Sequence, residues 1–401
     1  MKNQKAKTFD FLLMLTPLLL AGFGVVMIYS ASMVTSVIVN GEPAYAQALR
    51  QLIWLVIGVG FFVFASYFKY TLYKPLSKWI VLIMFLSLLA VQLWGTNINN
   101  AQSWIYIGSF SIQPSEFVKV GIILYLAAVY TKKQEYIDDF FKAVLPPLAI
   151  TAVLLAFIIK QPDIGTAGII FAAACTVIFS AGIRFRHLSF LALIGIVVLV
   201  ALSLQLVTDT RISRFTGAYQ PFADPDDTGY QLIQSYIAIG TGGVTGQGIG
   251  QGIQKLGYLT QADSDFIMAV ISEELGLFGV VFVLACLAVI VIRGLYIAKI
   301  CKDPFGSLIA IGLSSMIGIQ TVINMGAISG LLPITGVPLP FVSAGGTSLV
   351  VLLFSMGILN NIARHVNYQR YNEEEELDNP TEKKKFSRPF ARKSVRNRQL
   401  S

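Results

Sequence analysis

The amino-acid sequence predicts an all-α polytopic membrane protein of about ten transmembrane helices, with a long extracytoplasmic loop between spans 7 and 8. Three observations lead there. Only 13% of the 401 residues are charged, 55% are hydrophobic, and the mean hydropathy is +0.68. So few charges cannot cover a soluble domain, whereas lipid-facing helices need none. Apolar runs long enough to cross a hydrocarbon core of about 30 Å recur along the chain. The basic residues fall in alternate connections.

The runs lie near 11–31, 51–68, 79–94, 117–131, 143–160, 164–182, 187–206, 267–292, 306–330 and 344–363. Their periodicity is weak because they are apolar nearly all round, as membrane helices are. The first follows Lys2, Lys5 and Lys7 and contains Ser30-Ala31-Ser32, a faint cleavage signal. It is too long for a signal-peptide core and further spans follow, so it reads as an uncleaved helix. The segments at 79–94 and 117–131 are short and borrow flanking residues. Between 331 and 343, Pro333, Pro338 and Pro340 break any helix and suggest a re-entrant loop.

Lys69, Lys74 and Lys78, then Lys132, Lys133 and Lys142, then Arg184 and Arg186, then Arg293, Lys299 and Lys302 mark one side of the membrane. The connections at 95–114 and 331–343 hold no Lys or Arg. The basic side is cytoplasmic, which puts both termini there. Residues 207–266 form the long outer connection. Its Gly, Tyr and Gln content, with amphipathic stretches near 229–240, reads as a folded lid lying on the membrane. The membrane unit is expected over 1–364. The tail, 365–401, carries an acidic block at Glu373–Glu376 and then a basic run, the pattern of a disordered segment drawn to anionic lipid or to a partner.

Composition removes several chemistries. Cys175, Cys286 and Cys301 have no metal-ligand spacing, and His187 and His365 are the only histidines. They leave neither a disulfide framework nor an all-histidine metal site. The run GTGGVTGQGIGQG at 240–252 lacks the lysine of a phosphate loop, so it reads as a hinge or as close backbone packing.

The informative residues are ionisable groups at membrane depth, each costing about 2.5–3.5 kcal/mol at a helix centre. Glu116 and Lys119, in QPSEFVKV, share a helical face and read either as a self-satisfied pair or as a polar cavity floor, with Lys119 free for an anion. Asp163, in QPDIGT, reads as a helix cap or a site residue. Arg211 and Arg214 are spaced to grip a diphosphate. Asp265, in DSDFIMAVISEELG, sits at the membrane–water boundary, either as another cap or as a general base. Glu273 and Glu274 read as structural partners rather than catalysts. Together these suit an outward cleft for an amphiphile with an anionic head, such as a lipid-linked sugar diphosphate.

At QPSEF (113–117), QPDIGT (161–166), DPDDTGYQLIQSYIAIGTGG (224–243), GQGIGQGIQKLGYL (246–259), SDFIMAVISEELGLFG (264–279) and TGVPLPFVSAGGTS (335–348) the chain resembles the SEDS family of cell-wall polymerases. The resemblance spans about 10–364 in family order, and the IQKLGYL wording is closer to the division branch than to the elongation branch. It implies a peptidoglycan glycosyltransferase that polymerises lipid II by inverting transfer, with Asp265 as the essential aspartate and Glu116 and Lys119 at the family's ion-pair positions. Arg211, Arg214, Lys119, Glu116 and Asp163 are the implied substrate-side residues. Gly257, Asp263 and Ala344 depart from common family choices, and Gly257 removes a second carboxylate. The implied partners are a class B penicillin-binding transpeptidase and other division-complex membrane proteins, with no nucleic acid. The implied location is the cytoplasmic membrane at the division septum. The chemistry needs no nucleotide; a divalent cation, magnesium or manganese, is left open, with Asp265 as its candidate ligand. A lipid II flippase and a non-catalytic division scaffold are the competing readings.

Overall fold

The computed structural model describes residues 9–98, 101–108, 110–137, 139–183, 189 and 216–378. The membrane helices are α1 (Phe11–Ile38), α2 (Ala46–Tyr67), α3 (Tyr73–Trp94), α4 (Pro114–Lys132), α5 (Leu145–Lys160) and α6 (Ile164–Ser180). They continue, after the short outer helix α7 (Tyr230–Gly242), as α8 (Ile267–Ile300), α9 (Pro304–Ile328) and α10 (Gly346–Asp378). Eight are long and apolar enough to cross a membrane, and α6 is a shorter apolar helix. The span expected at 187–206 lies outside the described residues. A fold of about ten spans accommodates all of this.

Local chemistry sets the boundaries. Asp10 caps α1 through Leu13 N at 3.3 Å and also holds Arg293 Nε at 2.7 Å, fastening α1 to α8. Pro114 and Pro304 occupy the first turns of α4 and α9, where a missing N–H costs nothing. Asp303 caps α9 by accepting from Phe305 N and Gly306 N. α2 and α10 approach closely because Gly357 faces the carbonyl of Phe62, where a Cβ would stand only 2.5 Å away.

Two features differ from the sequence expectation. The 95–114 connection folds into an antiparallel sheet of β1 (Thr96–Ile98), β2 (Ala101–Ile107) and β3 (Phe110–Ile112). The expected all-α architecture holds for the spans, and the sheet is added at their mouth. α10 does not stop at 364 but continues as helix to Asp378, so the first part of the charged tail is ordered by continuation of the last span. Lys302 meets Glu373 there at 2.5 Å.

Alternation of the helices sorts the connections to two ends. The basic connections at 69–78, 132–142 and 293–302 lie at one end, where Tyr70 N donates to Asn361 Oδ1 and the Gln134 side chain to Ala181 O. At the other end lie the sheet, the 161–163 turn, the 331–345 segment and the 216–266 region. The 331–345 segment contains no helix, as its prolines foretold, yet Val337, Leu339, Phe341 and Val342 are buried in it.

Candidate functional site

Asp265 is not the cap of α8. The cap position belongs to Phe266 and has no side-chain hydrogen bond; the Asp265 carboxylate precedes it in the chain. It faces Gly336, whose φ of +71° requires a residue without a side chain; a Cβ built there would lie 3.6 Å from Asp265 Oδ2. The peptide that carries Asp265 is fixed from three sides. Ala344 N donates to Asp263 O at 2.8 Å. Ser343 Oγ donates to Ser264 O at 2.6 Å and accepts from Leu339 N at 2.8 Å. Asn324 Nδ2 donates to Asp265 O at 2.8 Å. Burial pushes the pKa of neighbouring Asp263 up, opposed by a hydrogen bond from Gln47.

On its other side the same irregular segment meets α6. A Cβ on Gly165 would stand 2.8 Å from Thr335 O and 2.7 Å from Val337 Cγ2. Asp163 caps that helix, accepting from Thr166 N at 3.1 Å through Oδ1. Its Oδ2 accepts from Gln113 Nε2 at 3.0 Å and from Ser115 Oγ at 3.3 Å. The cap reading of Asp163 holds, and the same carboxylate joins the QPDIGT turn to QPSEF. Burial raises its pKa against the lowering effect of its Thr166 hydrogen bonds.

Glu116 and Lys119 form the expected pair at 2.9 Å, with both side chains almost fully enclosed. The Lys119 ammonium also donates to Gln320 Oε1 at 3.2 Å, so two of its three donors are engaged within the protein. Arg211 and Arg214 lie outside the described residues.

Glu273 and Glu274 hold the outer loop, as structural partners. Glu273 Oε1 accepts from Ile253 N at 2.8 Å and from Gln254 N at 3.2 Å. Glu274 pairs with Lys255 at 2.5 Å, both wholly buried, and Ser30 Oγ donates to it at 2.7 Å. Gly243, Gly246, Gly248 and Gly250 all take positive φ, consistent with a run chosen for backbone conformation. Among the described residues no three His, Cys, Asp or Glu side chains converge. A cavity of about 410 Å³ on the flank of α3 and α5 is lined by Lys78, Phe85, Ile150 and Leu154 and by none of these site residues.

Sequence reasoning passed over Gln320, Asn324 and Lys255. Amide side chains inside the apolar run at 306–330, four residues apart, were the available signal for the first two. For Lys255 it was a lone lysine in an outer loop poor in basic residues.

Comparison with known proteins agrees with the motifs. Residues 10–368 match the family model for the FtsW, RodA and SpoVE cell cycle proteins. The chain is 45% identical to a protein named probable peptidoglycan glycosyltransferase FtsW from Bacillus subtilis, covering 100% of this chain and 98% of that one. It is 40% identical to stage V sporulation protein E of the same organism, over 90% and 98%. Among solved structures, a chain of a peptidoglycan synthase complex that coordinates polymerization and crosslinking superposes with a TM-score of 0.73 at 25% identity, covering 90% and 99%. Thermus thermophilus rod shape determining protein RodA superposes with a TM-score of 0.61 at 26% identity, covering 89% and 97%.

Proposed function

The chain belongs to the FtsW, RodA and SpoVE family of cell cycle proteins, and from that premise we propose that it is a membrane-embedded peptidoglycan glycosyltransferase of the division branch. Its substrate is lipid II, the undecaprenyl-diphosphate disaccharide-pentapeptide, polymerised at the outer face of the cytoplasmic membrane at the septum. Both termini are cytoplasmic, a reading supported by the clustering of the basic connections at the end opposite Asp265.

The observation that carries the mechanism is the Asp265 carboxylate set against Gly336, one residue ahead of the α8 cap position. Asp265 takes the proton of the acceptor's GlcNAc 4-hydroxyl as that oxygen bonds to the anomeric carbon of the donor's MurNAc. The bond from that carbon to the diphosphate oxygen breaks on the opposite face, with inversion, and its electron pair leaves on undecaprenyl diphosphate. Arg211 and Arg214 balance the developing negative charge. Asp265 then returns the proton to solvent. The Glu116–Lys119 pair supports this centre from below rather than touching the diphosphate.

A class B penicillin-binding transpeptidase that crosslinks the new strand is the proposed partner, together with other division-complex membrane proteins. Similarity to a chain of a peptidoglycan synthase complex supports it. Neither lipid II flipping nor a pure scaffold calls for a carboxylate at this boundary, and no feature of the site favours either. The test is polymerisation of purified lipid II by Asp265→Asn protein that remains folded and membrane-inserted. Loss of the base lowers the rate by about 10²–10⁴-fold; a normal rate refutes the assignment.

A further inference from the structure

We propose that Gln320 and Asn324 are positioning residues that hold the Asp265 peptide in register, and that the Glu116–Lys119 ion pair acts on the reaction through Gln320. The inference rests on the assignment of Asp265 as the base.

The two amides lie one turn apart on α9, on one face, and are 0% and 1% exposed. Each uses its amide nitrogen on the irregular segment beside the base. Gln320 Nε2 donates to Pro338 O at 2.8 Å. Asn324 Nδ2 has two hydrogens and two acceptors, Asp265 O at 2.8 Å and Val337 O at 2.9 Å. The consecutive carbonyls of Val337 and Pro338 are thus both claimed by α9, and Asn324 bridges that segment to Asp265. Pro338 has no N–H with which to pair its own strand, so side chains must supply the register.

The ion pair enters at the far end of the same row. Lys119 Nζ, paired with Glu116 at 2.9 Å, donates to Gln320 Oε1 at 3.2 Å. That contact fixes which end of the Gln320 amide faces the segment, because an ammonium only donates. Gln320 therefore presents N–H to Pro338 O. Remove Lys119, and the amide loses the partner that orients it. The buried pair then affects rate through a chain of hydrogen bonds that ends beside the peptide of Asp265.

A structural filler and a positioning residue differ in what they change. The experiment measures lipid II polymerisation by the full-length protein with its cognate transpeptidase, for Asn324→Leu, Gln320→Met, Lys119→Met and the double variant Lys119→Met/Gln320→Met, beside Asp265→Asn. Asn324→Leu and Gln320→Met are expected to lower kcat by ~10²-fold, the scale of a misplacement near 1 Å, with KM changed less than threefold. The double variant is expected to lose no more than the worse single one, since both break one relay. Amide exchange at Leu339 should accelerate in Asn324→Leu. Where Asn324→Leu fails to fold, Asn324→Ser, which keeps one donor, is expected to fall between it and wild type. Normal kcat in the single variants, or losses that multiply in the double, overturns the proposal. If Asp265→Asn itself polymerises normally, the base assignment fails instead, and the two failures are told apart.

Discussion

Asp163 Oδ2 accepts a hydrogen bond from Gln113 Nε2 at 3.0 Å, across fifty positions of sequence. With Ser115 on the same oxygen, it locks the outer turn before α6 to the start of α4. The same carboxylate caps α6, whose first turn presses on the segment facing Asp265. One side chain thereby ties the starts of two helices together beside the segment that faces Asp265.

That burial gives Asp163 a pH signature. Its folded pKa is raised, so the native state binds more protons than the unfolded chain between the unfolded value, about 3.9, and the folded one. Its stabilising contribution is fully present below the unfolded pKa and is lost as pH rises through the folded pKa. Thermal unfolding of wild type minus Asp163→Asn, in detergent from pH 4 to 8, is expected to show wild-type stability declining relative to the variant as pH rises. A difference that grows with pH contradicts the assignment.

Lys255 and Glu274 are a buried pair, and breaking one half strands the other. Lys255→Met is expected to destabilise the protein by about 3–5 kcal/mol. The double variant Lys255→Met/Glu274→Met should recover most of that, because no uncompensated charge remains. Denaturant unfolding in micelles measures both; equal losses in the single and double variants would show that the pair contributes packing alone.

Gly276 interrupts α8 at φ +63° and ψ −157°, where a Cβ would fall 2.4 Å from Gly246 N and 2.5 Å from Val244 O. Gly276→Ala should cost at least ~1–3 kcal/mol from backbone strain alone and loosen the glycine-rich outer loop. Gly22→Ala, in an open stretch of α1 with nothing within 4 Å, should be neutral or stabilising by up to about 1 kcal/mol. Melting temperatures of the two variants check the contrast.

Much of this was legible in the sequence, for physical reasons that also mark where legibility stops. Apolar runs disclosed the spans because lipid imposes a length, and the prolines at 333, 338 and 340 disclosed the irregular segment because they cannot continue a helix. Glu116 and Lys119 were readable as a pair because their spacing is local. Gln320, which takes a hydrogen bond from Lys119, stands 201 positions away, and no local pattern points from one to the other. Lys255 was hidden in the same way, since its carboxylate partner lies on another element. The sheet at 96–112 escaped because its strands are three to seven residues long, too short for alternation to stand out. Whether Asp265 capped its helix depended on a one-residue boundary, which sequence does not resolve.

The most direct measurement is glycan-chain formation from purified lipid II, with and without the cognate transpeptidase, wild type beside Asp265→Asn. Asp265 acting as the base predicts polymer from the wild type, alone or with its partner, and none above background from the variant. Equal polymer from both proteins, or no polymer from either while lipid II crosses liposome bilayers, would contradict it.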